Sequence, residues 1–372
     1  MQPGQLLNKR ALAYSLCAVD THIFTVMTQT QQNIVKVQRG VTFGFYARNG
    51  VLGSDWASRE VDKMLELNVG HVVLTPIVMQ ETAHTTRQYR DFEVTPGDHE
   101  VYKIIDYMHS NGIEVTLRPM LETQDGNGRL QVWFQDDRER IPGRISDHWK
   151  RWFESMTLRS QHYARIARDA GCVRYGLDSE LDRTIHHHDH WKQVISAVRG
   201  EFNGVVTSCH TTHCGLIDWE QEMKNPDHWW RDLDELQMSC YESGADAPGW
   251  STEQMIQKLM PSRDRFRRIA DAYGKPISFG ECGCTSSFGG AISPSGWEGE
   301  GGYSPMEQAN YLDAILSLFW EEPWWAGIYW WKWDEQNKRP AFSDDPAGDK
   351  GFQLYGKPGG EVMQRWFGRA DR

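Results

Sequence analysis

The sequence predicts an α/β protein folded as a single (β/α)8 TIM barrel with long βα loops. From Gly40 onward, eight short apolar segments of strand character alternate with segments whose apolar residues recur every three to four positions. Such alternation builds a parallel sheet, and eight units suit a closed barrel. An open doubly wound sheet for nucleotides would need a Gly-rich phosphate turn after a strand, and no G-x-G-x-x-G stands in that position. The 372 residues hold one barrel with loop insertions, and no internal repeat or second-domain linker interrupts them.

The elements follow in order. Gly40–Tyr46 reads as the first buried strand, and Trp56 to Leu67 has helical spacing. His71–Ile77 is the second strand. His99 to Asn111 is a helix stopped by Gly112. Ile113–Pro119 is the third strand, followed by a long loop over 121–146 rich in Gly, Asp and Gln. Trp149, Trp152, Phe153, Met156, Tyr163 and Ile166 then mark one apolar face of a helix ending near Gly171. Cys172–Glu180 is the fourth strand, and Trp191, Val194, Ile195 and Val198 line the next helix. Gly204–His210 and Leu236–Tyr241 are the fifth and sixth strands. Met255–Tyr273 is a helix closed by Gly274, and Pro276–Glu281 is the seventh strand. Gln308–Trp320 is a helix, Ala326–Trp331 the eighth strand, and a last helix lies near 360–368. Residues 40–372 form the catalytic domain and 1–39 an N-terminal extension. Within that extension, Lys9-Arg10 before Ala11–Val19 has the pattern of a weak signal peptide without a clear cleavage site, and Met27 offers a second start.

Composition narrows the partners. The net charge is −11, from 40 basic and 51 acidic residues, and no long basic run argues for nucleic acid. No apolar run has the length of a membrane span. Seven cysteines, an odd number without a Cys-x-x-Cys pair, give no disulfide framework and suit a reducing, cytoplasmic compartment. Seventeen Trp are many for one chain, because each buried indole N–H needs a partner. A Trp-rich core and interface accounts for most of them, and a sugar-binding cleft for the rest.

In this architecture chemistry sits at the C-terminal ends of the strands. The polar residues there include Arg118, Asp125, Asp178, Glu180, His210, Tyr241 and Glu281, followed by Trp330 and Trp331. No Ser-His-Asp order or nucleophile elbow occurs. Two glutamates ending strands four and seven suit glycoside hydrolysis, in which one carboxyl protonates the leaving oxygen and the other attacks the anomeric carbon or activates water.

The stretch Trp152-Phe-Glu, His162-Tyr-Ala-Arg-Ile-Ala and Tyr175-Gly-Leu-Asp-Ser-Glu-Leu181 resembles glycoside hydrolase family 113, β-mannanases of the large retaining clan of (β/α)8 barrels. Trp191–Arg199, Lys275–Glu281, Gly327–Trp333 and Gly356-Lys-Pro358 continue the likeness in order, over roughly 40–367. The resemblance implies that Glu180 is the acid/base and Glu281 the nucleophile. It implies that Tyr241 holds the nucleophile, that Arg118 braces it, and that Trp330 or Trp331 floors the subsite of the reacting sugar. Asp125, His210 and Trp297 are further substrate-binding candidates, Trp297 on a Gly- and Ser-rich loop over 283–302 that reads as a lid. The chain departs from the family at Ser179, at Cys209-His210 and at Cys282-Gly-Cys284. These positions are expected to lie where substrate hydroxyls are read, which bears on the preference for mannose.

The expected function is retaining hydrolysis of β-1,4-linked mannan or manno-oligosaccharides by a monomer, with no metal or organic cofactor. The alternatives are the same chemistry on another β-linked glycan, a non-catalytic carbohydrate-binding barrel, or a metallohydrolase. A metal reading of His186–His190 is weak because successive helical residues point about 100° apart, so the run is read as a solvated loop or helix start. A zinc site from Cys209, His210, His213 and Cys214 is a lesser possibility than a substrate contact by His210.

Overall fold

The structure, a computed structural model, describes residues 36–134, 147–296, 301–333 and 349–371. Eight parallel strands close a barrel: β1 (Gln38–Phe43), β2 (His71–Leu74), β3 (Glu114–Leu117), β4 (Arg174–Ser179), β5 (Val205–Thr211), β6 (Leu236–Cys240), β7 (Ile277–Cys282) and β8 (Trp325–Trp330). Each pairs with its neighbours in sequence, and β8 closes on β1 with Gly40 opposite Tyr329. The helices are α1 (Asp55–Glu66), α2 (Asp98–Ser110), α3 (His148–Asp169), α4 (His188–Arg199), α5 (Trp219–Glu222), α6 (Thr252–Tyr273), α7 (Pro305–Phe319) and α8 (Pro358–Phe367). The predicted (β/α)8 alternation is therefore present. Among the described residues no helix is long and apolar enough to cross a membrane.

Local chemistry sets the element ends. At α3, the Asp147 carboxylate accepts from Lys150 N at 3.0 Å. At α6, Ser251 and Gln254 form a capping box, and Gly274, at φ +64, ends the helix in the left-handed conformation. The second and third strands are shorter than their sequence pattern because each meets a proline, Pro76 and Pro119. Proline cannot donate to the ladder, so barrel pairing stops there. The chain then turns into a small side sheet in which Ile77–Gln80 pairs in parallel with Met120–Thr123 and antiparallel with Gln88–Tyr89. Part of the stretch expected to be a long loop is thus a strand. Between β5 and β6 the helix layer thins to α5 and a 3-10 turn, Trp229–Asp232.

The main apolar core lies between barrel and helices. Trp152, Trp191, Trp229, Trp230, Trp325 and Trp330 belong to it, and Trp191 stacks on Trp229 with centroids 4.8 Å apart. Most of the described Trp are therefore core, as expected. The barrel interior is polar. Glu235 accepts from Gln38 at 2.7 Å and Ser278 at 2.7 Å, and Tyr329 meets Thr116 at 3.3 Å. Above them lies Arg118, for which Gly176 and Gly280 make room: a Cβ on Gly176 would lie 2.7 Å from Arg118 Cγ, and one on Gly280 2.9 Å from Arg118 Nη1.

Candidate active site

Side chains alternate along a strand, so facing is a question of parity. On β4, Gly176 faces the interior against Arg118. Strict alternation would send Asp178 inward and Ser179 outward. The register with β5 shifts between Gly176 and Ser179, and this irregularity reverses the order. Asp178 pairs outward with Arg159 of α3, while Ser179 Oγ donates inward to Glu281 Oε1 at 2.6 Å. Glu180 follows at φ +59, a left-handed conformation uncommon outside glycine, and its side chain borders the barrel mouth. On β7, Gly280 faces inward, and a second register shift, against β6 between Phe279 and Glu281, brings Glu281 to the same side.

The two glutamates share one cavity of about 420 Å³. Phe45, Tyr46, Trp331 and Phe352 form its apolar wall, and Glu122, Arg129, Tyr241 and His213 face it beside the glutamates. Trp331 meets Phe45 edge to face at 4.9 Å. Glu281 takes three donors: Ser179 Oγ, Arg118 Nη2 at 3.1 Å, and the Tyr241 hydroxyl at 3.2 Å on Oε2. Glu180 takes one guanidinium nitrogen, Arg129 Nη2, at 3.0 Å, and the Ser239 hydroxyl also favours its charge. Burial raises both carboxyls above the ordinary range, and the Glu180 charge raises Glu281 further while Arg118 and Arg129 oppose it. Burial also raises the Tyr241 phenol, leaving it a protonated donor.

The structure brings Glu180, Glu281, Arg118, Tyr241 and Trp331 together and places Trp330, His210 and Asp125 elsewhere. Trp330 faces the helix layer, because Tyr329 beside it takes the interior position. Its Nε1 donates to Phe352 O at 2.8 Å within the core. His210 is likewise on the outer parity of β5, opposite Cys209. It is buried against Trp229 and Trp230 and bonded to Asp182 at 3.0 Å. Asp125 does not border the cavity; its carboxylate accepts from Ala83 N at 3.2 Å and Asn127 N at 3.1 Å and ties the loop after β3. Trp297 lies outside the described residues. The nearby loop is tied down at Phe288 N to Gly302 O, 2.8 Å, and Gly289 N to Glu307, 3.0 Å, and contributes Ser295 to the cavity. The departures Cys209, His210, Cys282 and Cys284 do not line the cavity, contrary to the expectation that they read substrate hydroxyls. Ser179 acts on the site through its bond to Glu281.

The His186–His190 run is the helix start expected after β4, with His186 and Asp189 exposed, but its other histidines are partly buried. His187 packs on Trp149 at 4.0 Å and His190 stacks on Phe153 at 4.7 Å. His188 instead converges with Glu222 and His228. His228 Nδ1 accepts from Trp230 N at 3.2 Å, which puts the ring proton on Nε2, the nitrogen 3.4 Å from Glu222 Oε2. That group is a His–Glu pair whose lone pair is already engaged, not a ready cation site. Of the Cys/His set considered for zinc, His213 and Cys214 border the cavity while Cys209 and His210 do not.

Arg129 is a site residue that sequence reasoning does not single out. It sits in an aperiodic loop, and no spacing rule marks one arginine there. The only local sign is its setting after two turn glycines and before an apolar residue, Gly126-Asn-Gly-Arg-Leu130.

The family profile described as Glycoside Hydrolase Family 113 matches residues 41–357. A GH113 β-1,4-mannanase solved as a complex is 25% identical, with 90% of this chain and 100% of that one covered and a TM-score of 0.76. The GH113 β-mannanase AaManA from Alicyclobacillus acidocaldarius, solved with ManMIm, is 26% identical, with 90% and 98% covered and a TM-score of 0.76. A family 5 mannosidase from Rhizomucor miehei shares the fold at 12% identity, with 89% and 92% covered and a TM-score of 0.58. No curated protein matches the chain.

Proposed function

The chain belongs to glycoside hydrolase family 113 and is a glycoside hydrolase with a carbohydrate substrate, and from that premise we propose that it cleaves β-1,4-linked mannan or manno-oligosaccharides with retention of configuration. The observation that carries the reading is the unequal setting of two carboxyls in one cavity. Glu281, with three donors, is the better place for a negative charge. Glu180, buried with one guanidinium contact and the Ser239 hydroxyl, is the better place for a proton.

In the first step Glu281 attacks the anomeric carbon as the glycosidic bond breaks, and Glu180 gives its proton to the leaving oxygen. The product is a glycosyl ester on Glu281. In the second step Glu180, now ionised, takes a proton from water; the oxygen attacks the same carbon and Glu281 leaves as carboxylate. Two inversions give net retention. Trp331 offers the apolar face for the reacting sugar. The assignment of mannose rests on the named β-1,4-mannanase at 25% identity and the named β-mannanase at 26%, and the departures from the family pattern do not speak against it, since the cysteines and His210 do not line the cavity.

The test is a product analysis by proton NMR on manno-oligosaccharides beside β-linked gluco- and galacto-oligosaccharides. Manno-oligosaccharide cleavage with the β-anomer formed first is expected. An α-anomer first product sinks retention, and preference for another sugar sinks the substrate. Glu281→Ala should abolish turnover; full activity in that variant would overturn the assignment of the nucleophile.

A further inference from the structure

Arg129 reaches the acid/base from a loop that does not belong to β4. All three sides of its guanidinium are used. Nε donates to Ser179 O at 2.9 Å, Nη2 to Glu180 Oε2 at 3.0 Å, and Nη1 to Glu122 Oε1. The group is buried and lies over the Phe45 ring, 5.7 Å from its centroid. Its loop is built to hold it. Gly128 N donates to Thr123 Oγ1 at 2.9 Å, and Arg183 Nε donates to Leu130 O at 3.1 Å. Glu122 faces the same cavity as a third carboxyl.

Resting on the hydrolase reading above, we infer that Arg129 and Glu122 form a positioning pair for Glu180, in which Glu122 takes part of the guanidinium's charge and Arg129 presents the remainder to the acid/base. Double displacement needs Glu180 to release a proton in one step and recover one in the next. An arginine facing Glu180 alone would hold it ionised, and its absence would leave a buried carboxyl that resists ionisation. Sharing the cation between two carboxylates sets an intermediate position. Lysine cannot reproduce the arrangement, because a single ammonium lacks the planar fork that engages Ser179 O and both carboxylates.

The inference makes two neighbouring substitutions act in opposite directions. Arg129→Met removes the cation, so Glu180 ionises later and the basic limb of the kcat/KM profile moves up by about one pH unit. Glu122→Gln returns the full cation to Glu180 and removes a nearby negative charge, so the limb moves down by about one pH unit. Arg129→Lys should fall between wild type and Arg129→Met. The profiles are measured on aryl β-mannosides with good and poor leaving groups. Arg129→Met should lose more on the poor leaving group, where proton donation matters most. Limbs that do not move, or that move in the same direction in both variants, overturn the inference. If Arg129→Met does not fold, the downward movement in Glu122→Gln and an upward movement in Arg129→Lys still decide it. Absence of wild-type turnover, or a wild-type basic limb unaffected by Glu180→Gln, counts instead against the hydrolase roles themselves.

Discussion

Removing the Ser179 hydroxyl should move the acid limb of the kcat/KM profile upward. Ser179 Oγ donates to Glu281 Oε1 at 2.6 Å and is fully buried. A hydrogen bond to a charged group contributes about 1.5–3 kcal/mol. At about 1.36 kcal/mol per pKa unit, its complete loss would raise the Glu281 carboxyl by roughly 1–2 pH units. Arg118 Nη2 still holds the same oxygen at 3.1 Å, so Ser179→Ala should realise the lower end, about one pH unit. The sign follows from which form is favoured: donors favour the carboxylate, and without one Glu281 stays protonated to higher pH. Tyr241→Phe removes the donor on the other oxygen, at 3.2 Å, but Tyr241 borders the cavity, where water can replace the hydroxyl. Its effect should be smaller, roughly half a pH unit. The assay is the pH dependence of kcat/KM on an aryl β-mannoside, with circular dichroism to check the fold. An acid limb that stays fixed or moves down in Ser179→Ala, or a larger movement in Tyr241→Phe, refutes the reasoning.

Adjacent tryptophans should differ in their effect on turnover. Trp330→Ala and Trp331→Ala each empty a buried site and should cost about 3–5 kcal/mol in urea unfolding, but in the folded fraction only Trp331→Ala should lower kcat/KM strongly; equal losses of kcat/KM would contradict their opposite facing. Gly280→Ala would press a methyl within 2.9 Å of Arg118 Nη1, Cys209 Sγ and Gln237 Cβ, so a loss of about 1–3 kcal/mol is expected together with displacement of Arg118 and reduced turnover; a wild-type melting curve would show that the barrel interior has slack. At the other end of the barrel, the His71 hydrogen bond holds the Glu114 carboxyl well below its ordinary value of 4.5. A depressed carboxyl stabilises above that ordinary value and loses its contribution as pH falls through its folded value. Glu114→Gln should therefore be about 1–2 kcal/mol less stable at pH 7, allowing for partial exposure, with the difference shrinking below pH 4.5; a difference that grows in acid would reverse the sign.

Periodicity is a local property, so whatever it reports is legible along the chain itself. The spacing of Trp152, Phe153, Met156 and Tyr163 marks α3, and the eight apolar runs mark the barrel. Position at a strand's end, together with resemblance to a family, brings Glu180 and Glu281 forward. Pro76 and Pro119 are equally plain in the sequence, yet the side sheet they open depends on Ile77–Gln80 finding Met120–Thr123 across the fold. The facing of the site residues is decided in the same way. Alternation along one strand gives parity only while the register with its neighbours is unbroken. The shifts on β4 and β7 arise from pairing with β5 and β6, so they leave no mark within either strand. They turn Ser179 and Glu281 inward and Asp178 outward. His210 and Trp330 lie near strand ends, which suggests the site, but their parity in the assembled barrel sends them to the helix layer. Arg129 marks the remaining gap: an aperiodic loop carries no facing signal, and only the closed barrel brings its guanidinium to a carboxylate 51 positions away. Sequence thus determined which elements form and which carboxyls end them; tertiary structure decided which side chains meet, because facing is set by pairing between strands that are distant in the chain.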